Sequence, residues 1–223
     1  MLYEERFTHV KRGLAGEYLR WHRQDHRAVV HENGGRVLCV MSGLIGAPAT
    51  EILQVVRYPD FASWERSQTV VSPERAELVE GEEVRLLRAI AARPKDRLPD
   101  EDRRAVYGYR RFFTRGADLD EFAYCSGEGV WPRIEAQGAC ILGLWTTVAG
   151  TEPQEVVLLT GYHGPGHWEE TRGNLPMPEG FDPELWERGQ RLGARRNELT
   201  LKSWVKLMRA IELDERPMAG AGS

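Results

Sequence analysis

The stretch YPDFASWE at residues 58–65 decides the fold, because it returns as YHGPGHWE at residues 162–169. Moving the sequence by 104 positions superimposes residues 3–65 on residues 107–169 without a gap, with ten identities in 63 positions. Ordinary residue frequencies would give about four identities. The matches include Tyr and Trp, which are rare residues. The sequence therefore predicts an internal duplication.

The duplication resumes after an insertion in the second copy. LLRAI at residues 86–90 corresponds to LMRAI at residues 207–211, an offset of 121 that leaves 121 − 104 = 17 extra residues in the second copy. Asp182 as N-cap and Pro183 at the first helical position predict a helix at about 182–197 within this insertion. We therefore expect a first repeat at 1–95, a second at 104–213 and a disordered tail at 214–223.

Each copy has the pattern of a βαββαβ unit. In the first copy the elements are predicted as strands at 2–10, 36–44, 51–58 and 83–91, with helices at 14–32 and from Asp60. Such a unit leaves one apolar sheet face that must be covered. We therefore predict an α+β fold of two tandem ferredoxin-like units, whose antiparallel sheets pack as an intrachain, pseudo-dimeric α/β barrel. The copies could also exchange between two chains, which would form a homodimer.

Charge and cysteine content narrow the class of protein. The net charge of −4 and pI of about 5.9 argue against a nucleic-acid partner or an anionic membrane surface. Three cysteines without a CxxC spacing indicate a reducing compartment rather than a disulfide framework. No apolar run is long enough for a membrane span. We expect a soluble, cytoplasmic protein in which Cys39 and Cys140 are buried, unreactive thiols.

Three segments resemble the NIPSNAP family. The opening YEERFT at residues 3–8, LGLWTTVAG at 142–150 and DPELW at 182–186 are similar, in order and spacing, to that family's first strand, later strand and turn, and later helix. The loop at 163–167 and the absence of the third segment from the first copy depart from the family. The resemblance implies the dimeric α/β-barrel class and no specific reaction. That class includes cofactor-free monooxygenases, haem enzymes and binding proteins.

Two histidine pairs are candidates for chemistry. Tyr162, His163 and His167 are candidate catalytic residues, because the histidines flank a Gly-Pro-Gly loop after Tyr162 and one of them could act as a general base near neutral pH. The alternative is a surface turn whose histidines are solvated. His22 and His26 lie four residues apart on the predicted first helix. They could ligate a metal or haem iron, or form a polar helix edge, and no third ligand is evident.

The first strands supply candidate ligand-binding residues. Arg6 and Arg110, with Tyr3 and Tyr107, recur at equivalent positions. An arginine inside a sheet needs a carboxylate partner or an anionic ligand, so the arginines either pair with Glu51 and Glu155 or bind a carboxylate. Trp168 recurs as Trp64, which favours a core position, and a ligand-binding role is the alternative.

Three hypotheses on function follow, in order of preference. The protein binds a small apolar or aromatic organic molecule in the barrel or a cleft, without a cofactor, and catalyses an oxygenation, cyclisation or isomerisation. Alternatively, it is a non-enzymatic partner protein that docks through the insertion helix, which predicts an exposed apolar stripe at Leu185 or Trp186 and no cavity. The third hypothesis is a haem or metal protein that uses His22 or His26.

Overall fold

The computed structural model describes residues 1–68, 72–95, 98–150, 152–172 and 176–213. The predicted tail at 214–223 and residues 96–97, between the two predicted repeats, lie outside these ranges. The chain divides into two units. The first contains Met1–Gly43, Ala47–Leu86 and the residues from Ala210 onward, and the second contains Leu44–Gly46 and Leu87–Arg209.

The elements of the first unit follow the predicted order closely. They are β1 (Leu2–Val10), α1 (Ala15–Trp21), a first π-turn (His22–His26), α2 (Arg27–Glu32), β2 (Arg36–Ile45), β3 (Glu51–Tyr58), α3 (Phe61–Gln68), α4 (Pro73–Leu78) and β4 (Val79–Ala89). Asp60 caps α3 as predicted, since its carboxylate accepts the Ser63 N–H at 2.8 Å. Gly34 ends α2 with a φ of 73°, which a residue with a Cβ rarely adopts.

The first unit buries one apolar face of its sheet against its helices. β1 pairs antiparallel with β3, placing Arg6 opposite Gln54, and β3 pairs with β2. Tyr18 and Trp21 of α1 pack with Leu2, Ile52 and Val56 in one buried cluster. Even-numbered positions of β1 therefore face the helices, because side chains alternate along a strand.

The second unit repeats this order and adds one long helix. Its elements are short 3₁₀ turns at Asp100–Asp102 and Gly116–Asp118, β5 (Val106–Thr114), α5 (Leu119–Cys125), a second π-turn (Ser126–Val130), α6 (Trp131–Glu135), β6 (Cys140–Thr147), β7 (Gln154–Tyr162), α7 (Pro165–Glu170), α8 (Pro183–Leu199) and β8 (Lys202–Leu213). The predicted insertion helix is confirmed as α8, and Asp182 caps it by accepting the Glu184 N–H at 2.8 Å.

The sheet of the second unit is also antiparallel. β5 lies between β7 and β8, and β7 pairs with β6. Phe112 of β5 packs with Phe122 of α5, Trp131 of α6 and Leu199 of α8 in the buried cluster of this unit. As in the first unit, even-numbered positions of the first strand face the helices.

The order of strands confirms the predicted fold class. Hydrogen bonds join the described strands in the order β1-β3-β2-β8-β5-β7-β6-β4, which closes on itself. Each βαββαβ set keeps the ferredoxin-like order, with the last strand beside the first. The fold is α+β, with antiparallel strands in a closed barrel. Leu87–Ala89 at the end of β4 pair with β6 and are grouped with the second unit, although they lie within the first predicted repeat.

Several local features differ from the sequence prediction or complete it. The helix predicted at 14–32 is interrupted by the first π-turn, and α4 was not predicted. Cys39 and Cys140 are buried and free, as predicted, and burial raises the pKa of their thiols to about 12 and about 11. Within the described ranges, no helix combines the length and apolar character needed to cross a membrane.

Candidate functional site

Arg6 lies in a buried polar network on the helix-facing side of β1. Its three guanidinium nitrogens donate to Glu4 at 2.8 Å, to Glu82 at 2.7 Å and to Gln68 at 2.6 Å. Burial opposes the charge, but the carboxylate of Glu4 outweighs it and raises the pKa of Arg6. The predicted pairing with Glu51 is wrong, because the strand register places Glu51 opposite His9 rather than opposite Arg6.

Arg110 occupies the corresponding position on β5, where the described residues form no such network. Glu4 stands two residues before Arg6, whereas Gly108 stands two residues before Arg110. The predicted pairing of Arg110 with Glu155 is also wrong, because Glu155 lies 2.8 Å from the guanidinium of Arg111. Burial, and then the neighbouring charge of Arg172, lower the pKa of Arg110.

Tyr162, at the end of β7, lies close enough to Arg110 for the arginine charge to influence its hydroxyl. Its ring lies nearly perpendicular to the ring of His167, with ring centroids 5.8 Å apart. Burial raises the pKa of the Tyr162 hydroxyl, while Arg110 and hydrogen bonds with Thr160 and Thr171 oppose the rise. The hydroxyl is therefore a neutral donor at physiological pH.

His163 follows β7 and His167 lies in α7. The two side chains contact each other, and His167 contacts the turn between α6 and β6. The His167 ring accepts the His163 backbone N–H through Nδ1 at 3.1 Å, and its Nε2 lies 2.8 Å from the Gln137 carbonyl oxygen. These partners assign the proton to Nε2 and engage both ring nitrogens with the backbone. His163 is exposed and stacks on His167 at 5.0 Å. A catalytic role for the pair stays a prediction.

The strand tyrosines lie on the other face of the sheet from the strand arginines. Tyr3 and Tyr107 are 5% and 0% exposed, and their odd positions place them opposite to Arg6 and Arg110. The Tyr107 hydroxyl accepts the Arg104 N–H at 3.3 Å. Trp168 of α7 is half-buried, and the guanidinium carbon of Arg172 lies 4.8 Å from the centre of the Trp168 ring. The strand residues predicted as one ligand-binding group therefore divide between two faces.

His22 and His26 are held by one glutamine. Gln54 of β3 bonds His22 Nε2 through its oxygen and His26 Nε2 through its amide nitrogen at 3.0 Å. His22 is 0% exposed, and His26 stacks on Trp21 at 5.5 Å. Burial lowers the pKa of both histidines, that of His26 to about 3. Both rings are therefore neutral at pH 7.

This pair does not fit an iron or metal site as folded. An iron ligand needs an accessible ring nitrogen, and Gln54 engages the Nε2 atoms of both rings. His22 Nδ1 has no hydrogen-bond partner among the described residues, but it is closed off from solvent. Within the described ranges, no three His, Cys, Asp or Glu side chains are grouped to hold a metal.

A groove of about 420 Å³ opens beside α5, the second π-turn and α6 in the second unit. Its walls combine Ile90, Ala123, Tyr124, Trp131 and Pro132. This volume falls in the range of small-molecule sites. The Trp131 indole N–H is buried and has no acceptor in the described part of the chain. The groove therefore offers apolar walls, and one of its lining residues carries a buried hydrogen-bond donor without an acceptor among the described residues.

The carboxylates at this groove are unevenly engaged. Glu135 pairs with Arg93 at 3.2 Å and also accepts the Ile141 N–H at 3.3 Å. Glu128 pairs with Arg188 at 2.9 Å. Asp120 is exposed at the edge of the same groove. The lining thus provides carboxylates that can accept a proton as well as apolar contact.

The apolar stripe expected on the insertion helix is absent from α8. Trp186 is only 8% exposed, because it packs against Phe181 at 5.8 Å and beneath Arg133 at 5.6 Å. Leu185 is 44% exposed, and among the described residues of α8 no other large apolar side chain is exposed. Of the two residues named as alternatives, Leu185 is therefore exposed and Trp186 is buried. A single exposed apolar residue is common on any protein surface and does not make a stripe.

The sequence interpretation missed Gln54, Trp131 and Arg196. Gln54 stands alone within an apolar strand, EILQVVRY, which is a signal of a buried polar contact. Arg196 sits three residues before the buried Leu199 in α8, so the helix phase could have indicated partial burial. The sequence carried no sign that the Trp131 N–H would lack a partner.

Comparison with known proteins gives a clear result for the fold. No family model matches the chain, and no curated protein matches it in sequence. A candidate monooxygenase from Lactobacillus acidophilus NCFM matches in structure with a TM-score of 0.64 at 10% identity, over 95% of this chain and 94% of that chain. An anthrone oxidase-like protein matches with a TM-score of 0.60 at 12% identity, over 100% and 96%.

The chain has the fold of these two proteins. At such low identity the likeness concerns the fold alone. An uncharacterised NIPSNAP domain protein from Burkholderia xenovorans covers 45% of this chain, at 16% identity and a TM-score of 0.32. The narrower assignment to the NIPSNAP family therefore stays a prediction.

Proposed function

We propose that the second unit binds a small planar aromatic molecule with a carbonyl group in the groove beside α5 and α6. The observation that carries this proposal is Trp131, which lines a groove of about 420 Å³. Its buried indole N–H lacks an acceptor among the described residues. An unmet buried donor costs about 1–3 kcal/mol. A ligand carbonyl in the groove would supply the acceptor while its rings contact the apolar walls.

The proposed reaction is a cofactor-independent oxidation of such a ligand. Anthrone is the probe, because one protein with this fold is anthrone oxidase-like. In this reaction anthrone and O₂ give anthraquinone and water, so that C₁₄H₁₀O + O₂ becomes C₁₄H₈O₂ + H₂O. The step begins with loss of a proton from the central ring carbon. The carboxylates of Asp120 and Glu128 line the groove and can accept this proton.

Binding is tested by quenching of tryptophan fluorescence as anthrone is added. Trp131→Phe keeps an aromatic ring of smaller size and removes the N–H, so we expect affinity to fall about five-fold, the effect of a hydrogen bond of about 1 kcal/mol. Trp168→Phe is the matched control, because Trp168 does not line the groove. Equal affinity in the two variants would contradict the role of Trp131.

A second variant tests the groove as a whole. A Cβ added at Gly127 would lie 3.9 Å from the Trp131 ring, so Gly127→Leu can be accommodated by the backbone while its side chain fills the groove. We expect this variant to lose anthrone binding and anthrone-dependent oxygen consumption. If the variant binds anthrone as the unmodified protein does, the ligand site is not this groove.

The haem and metal hypothesis has no comparable support, because Gln54 engages both histidines. It remains testable by adding haemin and recording the ultraviolet–visible spectrum. A Soret band that disappears in His22→Ala or His26→Ala would favour it over the groove.

A further inference from the structure

Two arginines of the second unit converge on one aromatic ring. The guanidinium carbon of Arg110, on β5, lies 5.6 Å from the centre of the Phe112 ring. That of Arg196, on α8, lies 5.2 Å from the same ring and 5.9 Å from the centre of Phe122. Two positive charges therefore approach the buried aromatic cluster of this unit from a strand and from a helix.

Two guanidinium nitrogens of Arg196 are left without an acceptor by the part of the chain that the structure describes. Its Nε and Nη1 atoms are closed off from solvent and have no hydrogen-bond acceptor among the described residues. Burial lowers the pKa of Arg196 to about 10, and the charges of Arg110 and Arg133 contribute to the decrease. Arginines in the folded interior normally meet a carboxylate, because aromatic rings compensate only part of the desolvation.

Among the described residues, the charged groups that influence Arg196 and Arg110 are other arginines. The charge of Arg172 lowers the pKa of Arg110, and the charge of Arg133 lowers the pKa of Arg196. The neutral Tyr162 hydroxyl lies near Arg110 and Arg196. Across the ranges that the structure describes, no ion pair involves these four arginines. The same chain does neutralise a strand arginine elsewhere, since Arg6 is paired with Glu4 and Glu82. The second unit thus concentrates cations where the first unit balances them.

We propose that Arg110, Arg172 and Arg196 form a binding site for the carboxylate of a small organic acid. Guanidinium groups bind carboxylates through paired hydrogen bonds, which would use the free N–H groups of Arg196. The adjoining Phe112 and Phe122 rings favour an acid with an apolar body over a bare inorganic anion. Arg172 is exposed on the turn after α7, so one of the three cations is open to solvent. This site shares no residue with the Trp131 groove and stands independently of that proposal.

The test uses the full chain and benzoate as probe. Calorimetry and thermal unfolding are performed at a constant ionic strength of about 0.15 M, with benzoate or inorganic phosphate replacing chloride. We expect benzoate to bind saturably and to raise Tm, and we expect Arg196→Met and Arg110→Met to weaken its binding roughly ten-fold or more. Arg195→Met is the matched control, because it removes the same charge from α8 at an exposed residue that is paired with Glu121 and Glu198.

Arg172→Met covers the case in which a buried arginine is needed for folding. Arg172 is exposed, so its replacement keeps the fold, and it should still weaken benzoate binding several-fold. Equal benzoate affinity in Arg172→Met, Arg196→Met and the unmodified protein would overturn the proposal. So would saturable binding of phosphate without binding of benzoate, and so would the absence of binding by either anion.

Discussion

At the scale of single residues, the carboxylate of Glu4 is fully buried and accepts hydrogen bonds from three donors. Arg6 donates at 2.8 Å, Trp64 Nε1 at 2.7 Å and Gln68 at 3.0 Å. Removing one partner of a buried pair leaves an uncompensated charge and costs about 3–5 kcal/mol. We therefore expect Glu4→Ala to lower the free energy of unfolding by that amount, as measured by urea denaturation. Glu17→Ala, at an exposed position, serves as control, and a similar small effect of both substitutions would contradict the network.

The histidine pair predicts a dependence of stability on pH. Tyr18, Trp21 and Gln54 face the rings, and the nearby charges are Arg6, Arg23, Arg27, Arg75 and Glu212. The folded-state pKa of His26, about 3, lies below the unfolded value of roughly 6.5. Between these values the unfolded chain binds the proton, so stability is present above pH 6.5 and is lost as the pH falls.

This dependence is measurable by urea unfolding at pH 7, 6 and 5. A fully shielded histidine would contribute about 1.4 kcal/mol per pH unit, and the half-buried His26 contributes less. We expect His26→Gln to flatten the decrease of stability toward pH 5. His31→Gln, at an exposed histidine of α2, should leave the decrease unchanged. A parallel decrease in all three proteins would rule out this assignment.

Sequence reasoning reached part of the candidate site. It identified Arg110 and Tyr162, and it stated that a strand arginine needs a carboxylate or an anionic ligand. It did not find the partners, because Glu4 and Glu82 are selected by strand register and side-chain direction, which residue spacing does not specify. The free N–H groups of Trp131 and Arg196 depend on what is missing around them, and no local pattern encodes that.

At the scale of elements, two glycines of α8 face the second π-turn and allow the helix to pack closely against it. A Cβ added at Gly189 would lie 2.8 Å from the Gly129 carbonyl oxygen of the second π-turn, whereas one added at Gly193 would meet Val130 at an ordinary 3.7 Å. In an exposed helix, Gly→Ala stabilises by about 1 kcal/mol. We expect Gly193→Ala to raise stability by that amount. Gly189→Ala should instead lower it by about 1–3 kcal/mol, because the helix must move away.

Thermal unfolding of the two glycine variants provides the measurement. Both substitutions add the same methyl group to the same helix, one turn apart, so helix propensity cancels in the comparison. Stabilisation by both would show that α8 does not pack closely on the π-turn.

The elements themselves were largely predictable. Strands β1, β2 and β3 and helices α3 and α8 follow from alternation, helix caps and turn glycines. The π-turns were not, because one extra residue per turn barely changes the apolar spacing of a helix. Helix α4 had a signal that went unused, since Ser72 before Pro73 is an N-cap followed by proline at the first position.

At the scale of the whole molecule, we propose that the chain arose by tandem duplication. The π-turns His22–His26 and Ser126–Val130 are separated by the offset of 104 that aligns the two halves. The bulges at Val37/Cys39 in β2 and at Ile141/Gly143 in β6 obey the same offset. Irregularities at matching positions are stronger support than regular elements, because any ferredoxin-like unit has the latter. A homodimer of the whole chain stays a prediction.

Gly108 of β5 occupies the position that corresponds to Glu4 of β1, and this difference has an evolutionary consequence. When one gene encodes a unit that assembles with an identical copy, any substitution appears in both copies at once. Losing the carboxylate beside the strand arginine would then remove the counter-charge from every subunit. A fused gene lifts that restriction, because one half can diverge while its sister remains intact. On this view the covalent link between the halves was the precondition for giving them different tasks.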